Sequence, residues 1–558
     1  MSSMSGAEAM VRMLQLHGVK HIFGLCGDTS LPFYDALARL DHGMTHILTR
    51  DERSAAYMAD GYARVTGRVG VCEGPSGGGA TYLLPGIVEA NESSIPVLGI
   101  TTDIATTSRG RYALTELDQE ALYRPLTKHS EVIARADKLP EAVRRAFRAM
   151  TAGKPGAAHL GLPFDVQNAI VPEGEVWADA SQGSYPSART APDTELIRKA
   201  ASSLSAAKLP ILVCGGGVLI ANAEKELAEV AMLLGAPVAT TVSGQGSLAE
   251  DHPLCLGVVG SNGGTLPTRE VLSQADLVVF VGCRAGSVTT ERWRYPAQGT
   301  PVIHIDADPM VPGANYDTRV SIVADAKLAL RALRDELQGV QSKKGVQVVK
   351  EAKETKFKAF FELARNNDIP ILPERIVATL HEILPRDAVV VCDPGTPCPY
   401  FSAYYEFLEA GRHFISNRAH GALGYSMAAA AGAHFGRPQA KVVSVMGDGS
   451  FGFTAGELET LARLRIPVMM VVISNASYGW IKAGQKTGYQ ERYYSVDFSR
   501  TDHARVAEAF GVKAFKVIEI ESLKPALVAA AEHGGPALVD IITQPLQDAE
   551  APVSEWVA

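Results

Sequence analysis

Residues 442–477 limit what this chain can fold into more sharply than any other stretch. A β-branched run, VVSVM, ends in Gly447-Asp448-Gly449; a helix is predicted over about 454–464; a second run, VMMVVIS, delivers Asn475. Asp448 and Asn475 stand 27 positions apart, the length of one βαβ crossover, which brings two parallel strands to the same edge of a sheet. Open α/β sheets bind ligands at that carboxyl edge. A carboxylate and an amide oxygen there, with a backbone carbonyl nearby, form a hard-oxygen set suited to Mg²⁺ that also carries phosphate and water. The flanking glycines let the backbone approach a phosphate, and the helix start offers N–H donors. Gly-Asp-Gly alone would be weak evidence, since it also makes plain turns. A second strand ending in Asn at this distance makes the signal specific.

The same alternation of short β-branched runs with helix-like stretches continues through all 558 residues, which predicts an α/β chain with parallel sheets. At roughly 100–200 residues per domain, such a length points to three domains. Two stretches read as linkers: 181–193, rich in Ser, Pro and Gly, and 339–354, where QSKKG interrupts any apolar period. The first segment opens with a helix over 7–17, then strand-like HIFGL, ILT at 47–49 and a helix-like stretch from Glu52. PILVCGGG, DLVVFVG and VIHIDAD are spaced for a Rossmann-like sheet in the middle; AVVVCD, KVVSVMGDG, PVMMVVISN and PALVDIIT are strands of the last segment.

Composition narrows the function classes. With 46% hydrophobic and 20% charged residues and a formal charge of −8, the chain has no basic cluster long enough for nucleic acid. Seven scattered cysteines, never spaced CxxC, argue against a disulfide framework or a zinc site and for a reducing compartment. The N-terminus does not read as a signal peptide and no apolar run approaches a membrane span, so a cytoplasmic location is expected.

A strand ending in GDG, followed one crossover later by two asparagines, is the signature of thiamine-diphosphate (ThDP) enzymes, and 442–477 resembles it. The pair here reads Ser474-Asn475: the metal-binding second Asn is present and the first is replaced. Over nearly its whole length the chain resembles the family of acetohydroxyacid (acetolactate) synthase, pyruvate decarboxylase, benzoylformate decarboxylase and oxalyl-CoA decarboxylase. In pattern it is closest to the acetolactate-synthase-like members. The resemblance implies three doubly wound parallel-sheet domains: pyrimidine-binding over 1–180, Rossmann-like over 190–340 and diphosphate-binding over 355–550. It implies ThDP and Mg²⁺, with Asp448, Asn475 and the Ser477 carbonyl on the metal and Gly447, Gly449, Ser450, Tyr478 and Gly479 beside the diphosphate. Gly395 aligns with a further diphosphate contact, and Thr396 stands where synthases have Gln. SNRAHGALGYSMAAAAG resembles the stretch in which a glycine carbonyl, here Gly421, meets the pyrimidine amino group and a bulky apolar residue, here Leu423, bends the cofactor.

The protein's share of such chemistry is to deprotonate the cofactor, which itself stabilises the carbanion. LTRDERSAAYMADGYARVTG resembles the family motif HE-x-x-A-x-x-x-A-x-G-Y-A-R, which makes Glu52 the acid that meets the aminopyrimidine N1′. Without the motif, Glu52 would read as a solvated acid favoured at a helix N-terminus, like its neighbour Asp51.

The substrate is less legible. Asp28, in HIFGLCGDTS, stands where pyruvate decarboxylases carry an acid–base aspartate, and is equally readable as a turn cap. No paired histidines occur in the first domain; lone His129 in LTKHS and Gln119 in LDQE resemble synthase segments whose Gln faces the substrate. GPSGGGATYLLPGI carries extra small residues, read as a lengthened loop. In SYGWIKAGQK, Trp480 and Ile481 fall at the substrate end, while Gly484 stands where synthases have a Trp. In the middle domain Arg284 is what remains of a flavin-binding stretch and could instead meet a substrate carboxylate; FAD is permitted but not favoured. The resemblance thus implies an enzyme that cleaves and forms C–C bonds of small 2-oxo acids, decarboxylating one and ligating it to an acceptor. The alternatives are a simple 2-oxo acid decarboxylase, a 2-hydroxyacyl-CoA lyase or oxalyl-CoA decarboxylase, and, in another class, a non-catalytic ThDP-fold regulator. A homodimer at minimum, with a homotetramer expected, completes the reading, without nucleic-acid or membrane partners.

Overall fold

The computed structural model describes residues 3–337 and 344–555. They form two compact units. The first comprises the chain up to Ala188 together with Asn417–Gln439 and Thr454–Ile466; the second comprises Arg189–Ser416, Ala440–Phe453 and the chain from Pro467 onward.

The first unit is built on a six-stranded parallel sheet in the order Thr45–Leu48, His21–Gly24, Gly70–Gly74, Val97–Asp103, Ala158–Pro163, His129–Val132. Strands Gly70–Gly74 and Val97–Asp103 are buried at every residue, as parallel strands covered on both faces must be. Helix Gly6–Leu16 starts with a capping box, Ser5 accepting from the Glu8 N–H while Glu8 accepts from the Ser5 N–H. Helix Glu52–Thr66 ends at Gly67, whose φ of +70° closes it in the left-handed region. It packs against helix Ser426–Gly436 with almost no side chains between the backbones. A Cβ on Gly61 would stand 2.2 Å from the Ala429 carbonyl oxygen, and one on Gly432 1.9 Å from that of Met58.

The second unit holds two more six-stranded parallel sheets. One runs Cys255–Val258, Val238–Thr240, Pro210–Cys214, Leu277–Val281, Val302–Asp306, Thr318–Val323; the other Phe414–Ser416, Val389–Cys392, Val442–Gly447, Met469–Ser474, Ala537–Ile542, Lys513–Val517. Alternate residues of the central strands, among them Val443, Val445, Val471, Ile473, Val539 and Ile541, face one core with Ile376, Leu380, Leu523 and Leu527. The chain is therefore an α/β protein of three parallel-sheet domains.

Three expectations are corrected. The break predicted over 339–354 is largely helix: Gly345–Ala364 runs through it, burying Val349, Ala352, Lys356, Phe360 and Ala364 on a stripe too narrow to show among the charges of KEAKETKFK. Residues 339–343 of that prediction lie outside the described residues. The helix expected from 454 begins at Asp448 itself and runs to Thr454, with a separate helix Leu458–Leu464 after a 3₁₀ turn. The loop expected in GPSGGGATY is the short helix Gly78–Tyr82, entered through Gly77 at φ +67°.

Candidate active site

In the second unit, strands Val442–Gly447 and Met469–Ser474 are hydrogen-bonded neighbours in register, Gly447 beside Ile473, so Asp448 and Asn475 leave the sheet at one edge. Asp448 is buried. Its Oδ2 accepts the backbone N–H groups of Asn475 (2.8 Å) and Ala476 (2.6 Å), and its Oδ1 that of Gly449 (2.9 Å). Burial pushes this carboxyl above the ordinary aspartate range, and those three amides oppose the push. Ala476 adopts a left-handed φ of +57°, which turns the chain so that the Ser477 N–H (3.2 Å) and hydroxyl (3.1 Å) both donate to the Asn475 amide oxygen.

The Asp448 carboxylate and the Asn475 amide oxygen lie together at this edge, each bound by backbone N–H groups of 475–477, and the Ser477 carbonyl accepts the Gly479 N–H (2.9 Å). Carboxylate, amide and carbonyl oxygens are the donor types that suit Mg²⁺. The Asn475 Nδ2 is buried without a hydrogen-bond partner among the described residues. Cβ atoms on Gly395 and Gly447 would meet open space, so the backbone there is approachable by an anion. A Cβ on Gly449 would stand 2.8 Å from the Tyr478 ring, which packs edge-on against Phe498. A Cβ on Gly479 would stand 3.1 Å from Thr396 Oγ1 and 3.4 Å from Asn475 Nδ2, so Thr396, Asn475, Tyr478 and Gly479 share one corner with buried Ser450 beside Asp448. Ser474, in place of the first asparagine, bonds inward to Asp540, which also accepts the His503 N–H (3.1 Å).

In the first unit, Glu52 is the first residue of helix Glu52–Thr66 and is buried. The turn before it is pinned at two points: the Thr49 N–H donates to the Gly24 carbonyl (3.0 Å) and the Arg50 N–H to Glu457 Oε1 (2.8 Å). Glycines wall the carboxylate. A Cβ on Gly74 would stand 3.2 Å from Glu52 Cγ, and one on Gly79 3.1 Å from Glu52 Oε1. The small residues of GPSGGG thus make room for the acid. Burial raises the Glu52 carboxyl above the ordinary glutamate range, its own backbone N–H opposes this, and the charges of Asp51 and Glu73 add to the rise. The rest of the motif is structural: Gly61 permits the helix contact, and Arg64 pairs with Asp60 (2.8 Å) and Glu89 (3.0 Å), both fully buried, while Tyr425 donates to Asp60.

The remaining predicted residues are placed as follows. Asp28 is exposed and its Oδ1 accepts from the Thr29 N–H (2.8 Å), a turn-capping contact. Gln119 is fully buried, donating to the Thr102 carbonyl (3.0 Å) and accepting from the Thr101 hydroxyl. His129 lies beside Glu131 (3.3 Å). Gly421 takes φ +73° and nothing would touch a Cβ on it; Leu423 is half-buried. Trp480 packs on the edge of the last domain's core and Ile481 is exposed. Arg284 is exposed after strand Leu277–Val281, and Gly215 and Gly217 meet Gly282, with Cβ positions 2.2 Å from its oxygen and 2.6 Å from its Cα. Sequence reasoning passed over Glu73, Tyr34, His46 and Glu457; a glutamate inside the buried strand GVCEG is the one signal that was available.

Three family models match the chain. They are described as thiamine pyrophosphate enzyme, N-terminal TPP binding domain (residues 4–122), central domain (197–333) and C-terminal TPP binding domain (393–541). The chain is 35% identical to a probable acetolactate synthase large subunit of Methanocaldococcus jannaschii, over 98% of this chain and 93% of the relative. It is 32% identical to an acetolactate synthase of Arthrospira platensis (96% and 94% covered) and 31% identical to the acetolactate synthase isozyme 3 large subunit of Escherichia coli (96% and 93% covered).

Proposed function

This chain belongs to the thiamine pyrophosphate enzyme family, and from that premise we propose that it is a carboligase acting on 2-oxo acids, decarboxylating one and joining the remainder to an acceptor. The observation that carries the reading is the corner where Asp448 gathers the amides of Asn475 and Ala476, with Glu52 retained as a buried acid. The names of the full-length relatives support the ligating outcome.

Bound ThDP supplies a carbon nucleophile and holds the electron pair released when CO₂ leaves. Asp448, Asn475 and the Ser477 carbonyl would hold Mg²⁺, leaving positions for two phosphate groups and water. Gly395, Thr396, Gly447, Gly449, Ser450, Tyr478 and Gly479 would hold the diphosphate by close backbone approach and short polar side chains. Gly421 and Leu423 would seat the pyrimidine. Glu52, kept hard to ionise by burial, would hold and release a proton at N1′. We place Gln119, Arg284, Trp480 and Ile481 at the substrate end, with Asp28 a further acid–base candidate.

The domain limits we propose, 1–180, 190–340 and 355–550, each contain one matched stretch, although helix Gly345–Ala364 runs across the last of them. FAD remains a permitted but less favoured cofactor of the middle domain. A homodimer at minimum and an expected homotetramer are supported by fully exposed Tyr112 and by Leu114 at 84% exposure, side chains that an interface would cover. Seven free thiols support a cytoplasmic location, and no helix among the described residues is long and apolar enough to cross a membrane. The test is a panel of 2-oxo acids and acyl-CoAs, with CO₂ release and ligation products measured together. A ligated product from a 2-oxo acid is expected. CO₂ with aldehyde alone would make the protein a simple decarboxylase, and turnover of acyl-CoAs alone would overturn the reading.

A further inference from the structure

Strand Gly70–Gly74 is buried along its whole length, yet it carries a glutamate. The Glu73 side chain has no exposure. Its Oε1 accepts the Tyr34 hydroxyl and lies 3.3 Å from His46 Nε2, and the Tyr34 hydroxyl lies 2.9 Å from the same nitrogen. Tyr34 comes from helix Leu31–Arg39 and His46 from strand Thr45–Leu48, so three elements converge on one carboxylate. Its other oxygen has no hydrogen-bond partner among the described residues. An apolar side chain would fill this place without that desolvation cost, so the carboxylate calls for a reason beyond packing.

The reason lies in what it borders. Gly24 pairs with Glu73 across the parallel strands, and a Cβ on Gly24 would stand 2.3 Å from Glu73 Oε1. Gly24 is therefore bare to admit the carboxylate, and its carbonyl is the one that receives the N–H (3.0 Å) and hydroxyl (3.3 Å) of Thr49, at the head of the turn into Glu52. On the other side, Gly74 follows Glu73 directly and is the glycine that walls Glu52 Cγ. Glu73 thus adjoins the Gly24 carbonyl that pins the turn into Glu52 and the glycine that walls Glu52.

We infer that Glu73, held by Tyr34 and His46, is a positioning residue for the Glu52 carboxylate, fixing both its place and its charge balance. The inference rests on the proposed role of Glu52 in handling the N1′ proton. The groups whose charge bears on Glu52 are Asp51 and Arg53 on its own turn, Glu73 from the strand and Tyr34 from the helix; Tyr34, His46 and Cys72 bear on Glu73. Burial raises the Glu73 carboxyl, and the contacts of His46 and Tyr34 oppose that rise and favour its charge; that charge in turn makes ionised Glu52 less favourable, in the direction of the raised Glu52 carboxyl.

The experiment uses wild type, Glu73→Gln and Tyr34→Phe, each loaded with ThDP and Mg²⁺. Deuterium exchange at C2 of the bound cofactor is followed against pH, and ThDP affinity is measured by calorimetry. Glu73→Gln keeps the volume and removes the charge, so its acid limb should move to lower pH, with affinity near that of wild type. Tyr34→Phe removes a donor that favours ionised Glu73 and should move the limb in the same direction by less. A folded Glu73→Gln protein with the wild-type limb overturns the inference, as does one slowed equally at every pH. Should Glu73→Gln fail to fold, an unmoved limb in Tyr34→Phe overturns it instead. A wild-type protein that binds no ThDP overturns the reading of the whole site, and this inference with it.

Discussion

Two buried carboxylates, Asp448 and Glu52, are both pushed up by burial but differ in what surrounds their oxygens. Asp448 receives three backbone N–H groups, which oppose the upward push of burial on its carboxyl. Glu52 is walled by glycines and neighboured by Asp51 and Glu73, so its charge is disfavoured and its proton is held more firmly. The first arrangement is what the proposed cation anchor calls for; the second is what the proposed proton-transfer group calls for. Burial alone does not decide a carboxylate's role. What surrounds its oxygens does.

That contrast can be broken by experiment. Replacing Glu52 by Gln should lower kcat by about 10²–10⁴-fold while ThDP stays bound, read by steady-state turnover beside calorimetry; a variant of undiminished activity would sink the assigned chemistry. Asp448→Ala should weaken Mg²⁺-dependent ThDP retention by about 100-fold or more. It should also cost about 1–3 kcal/mol of stability, because the N–H groups of Gly449, Asn475 and Ala476 lose their acceptor. If it released no cofactor, Asp448 would be a structural cap and the two acids would no longer differ in kind.

The smallest effect is on the ThDP-free protein and sharpens the lesson about burial. Glu457 and Glu374 are pushed up by burial to about 7 from an ordinary 4.5. For groups raised on folding, the stability they contribute is full below the unfolded value and is lost as pH rises through the folded one. The part of the stability these two groups carry should therefore grow as pH falls from about 8 to about 6, against the opposite trend of buried histidines such as His17 and His159. It is read as the difference in melting temperature between wild type and Glu457→Gln across that range. A wild-type advantage over Glu457→Gln that shrinks as pH falls would contradict the sign.

The sheets were legible because their strands are continuous apolar runs, and the metal corner because GDG and Asn475 sit one crossover apart. Glu52 was legible through the residues around it, Gly61 and Arg64, which prove to serve packing rather than chemistry. Helix Gly345–Ala364 was hidden because its buried stripe is interrupted by charges that point outward. The Tyr34–His46–Glu73 cluster was hidden because its members come from three separate elements, and no local pattern records a contact between positions so far apart. Substrate choice was the least legible: Gln119 is buried and bonded to Thr101 and Thr102, a partnership that only the folded chain reveals.

The glycine contact between helices Glu52–Thr66 and Ser426–Gly436 has a consequence in time. Ribosomes add about 5–20 residues per second, so the Glu52 helix emerges tens of seconds before the partner that covers it. Through that interval its face of small residues, shaped for one backbone, has nothing to close on. A nascent chain stalled before residue 426 should expose that stripe to chaperones, and Glu52, at the head of that helix, would gain its final setting only late in synthesis.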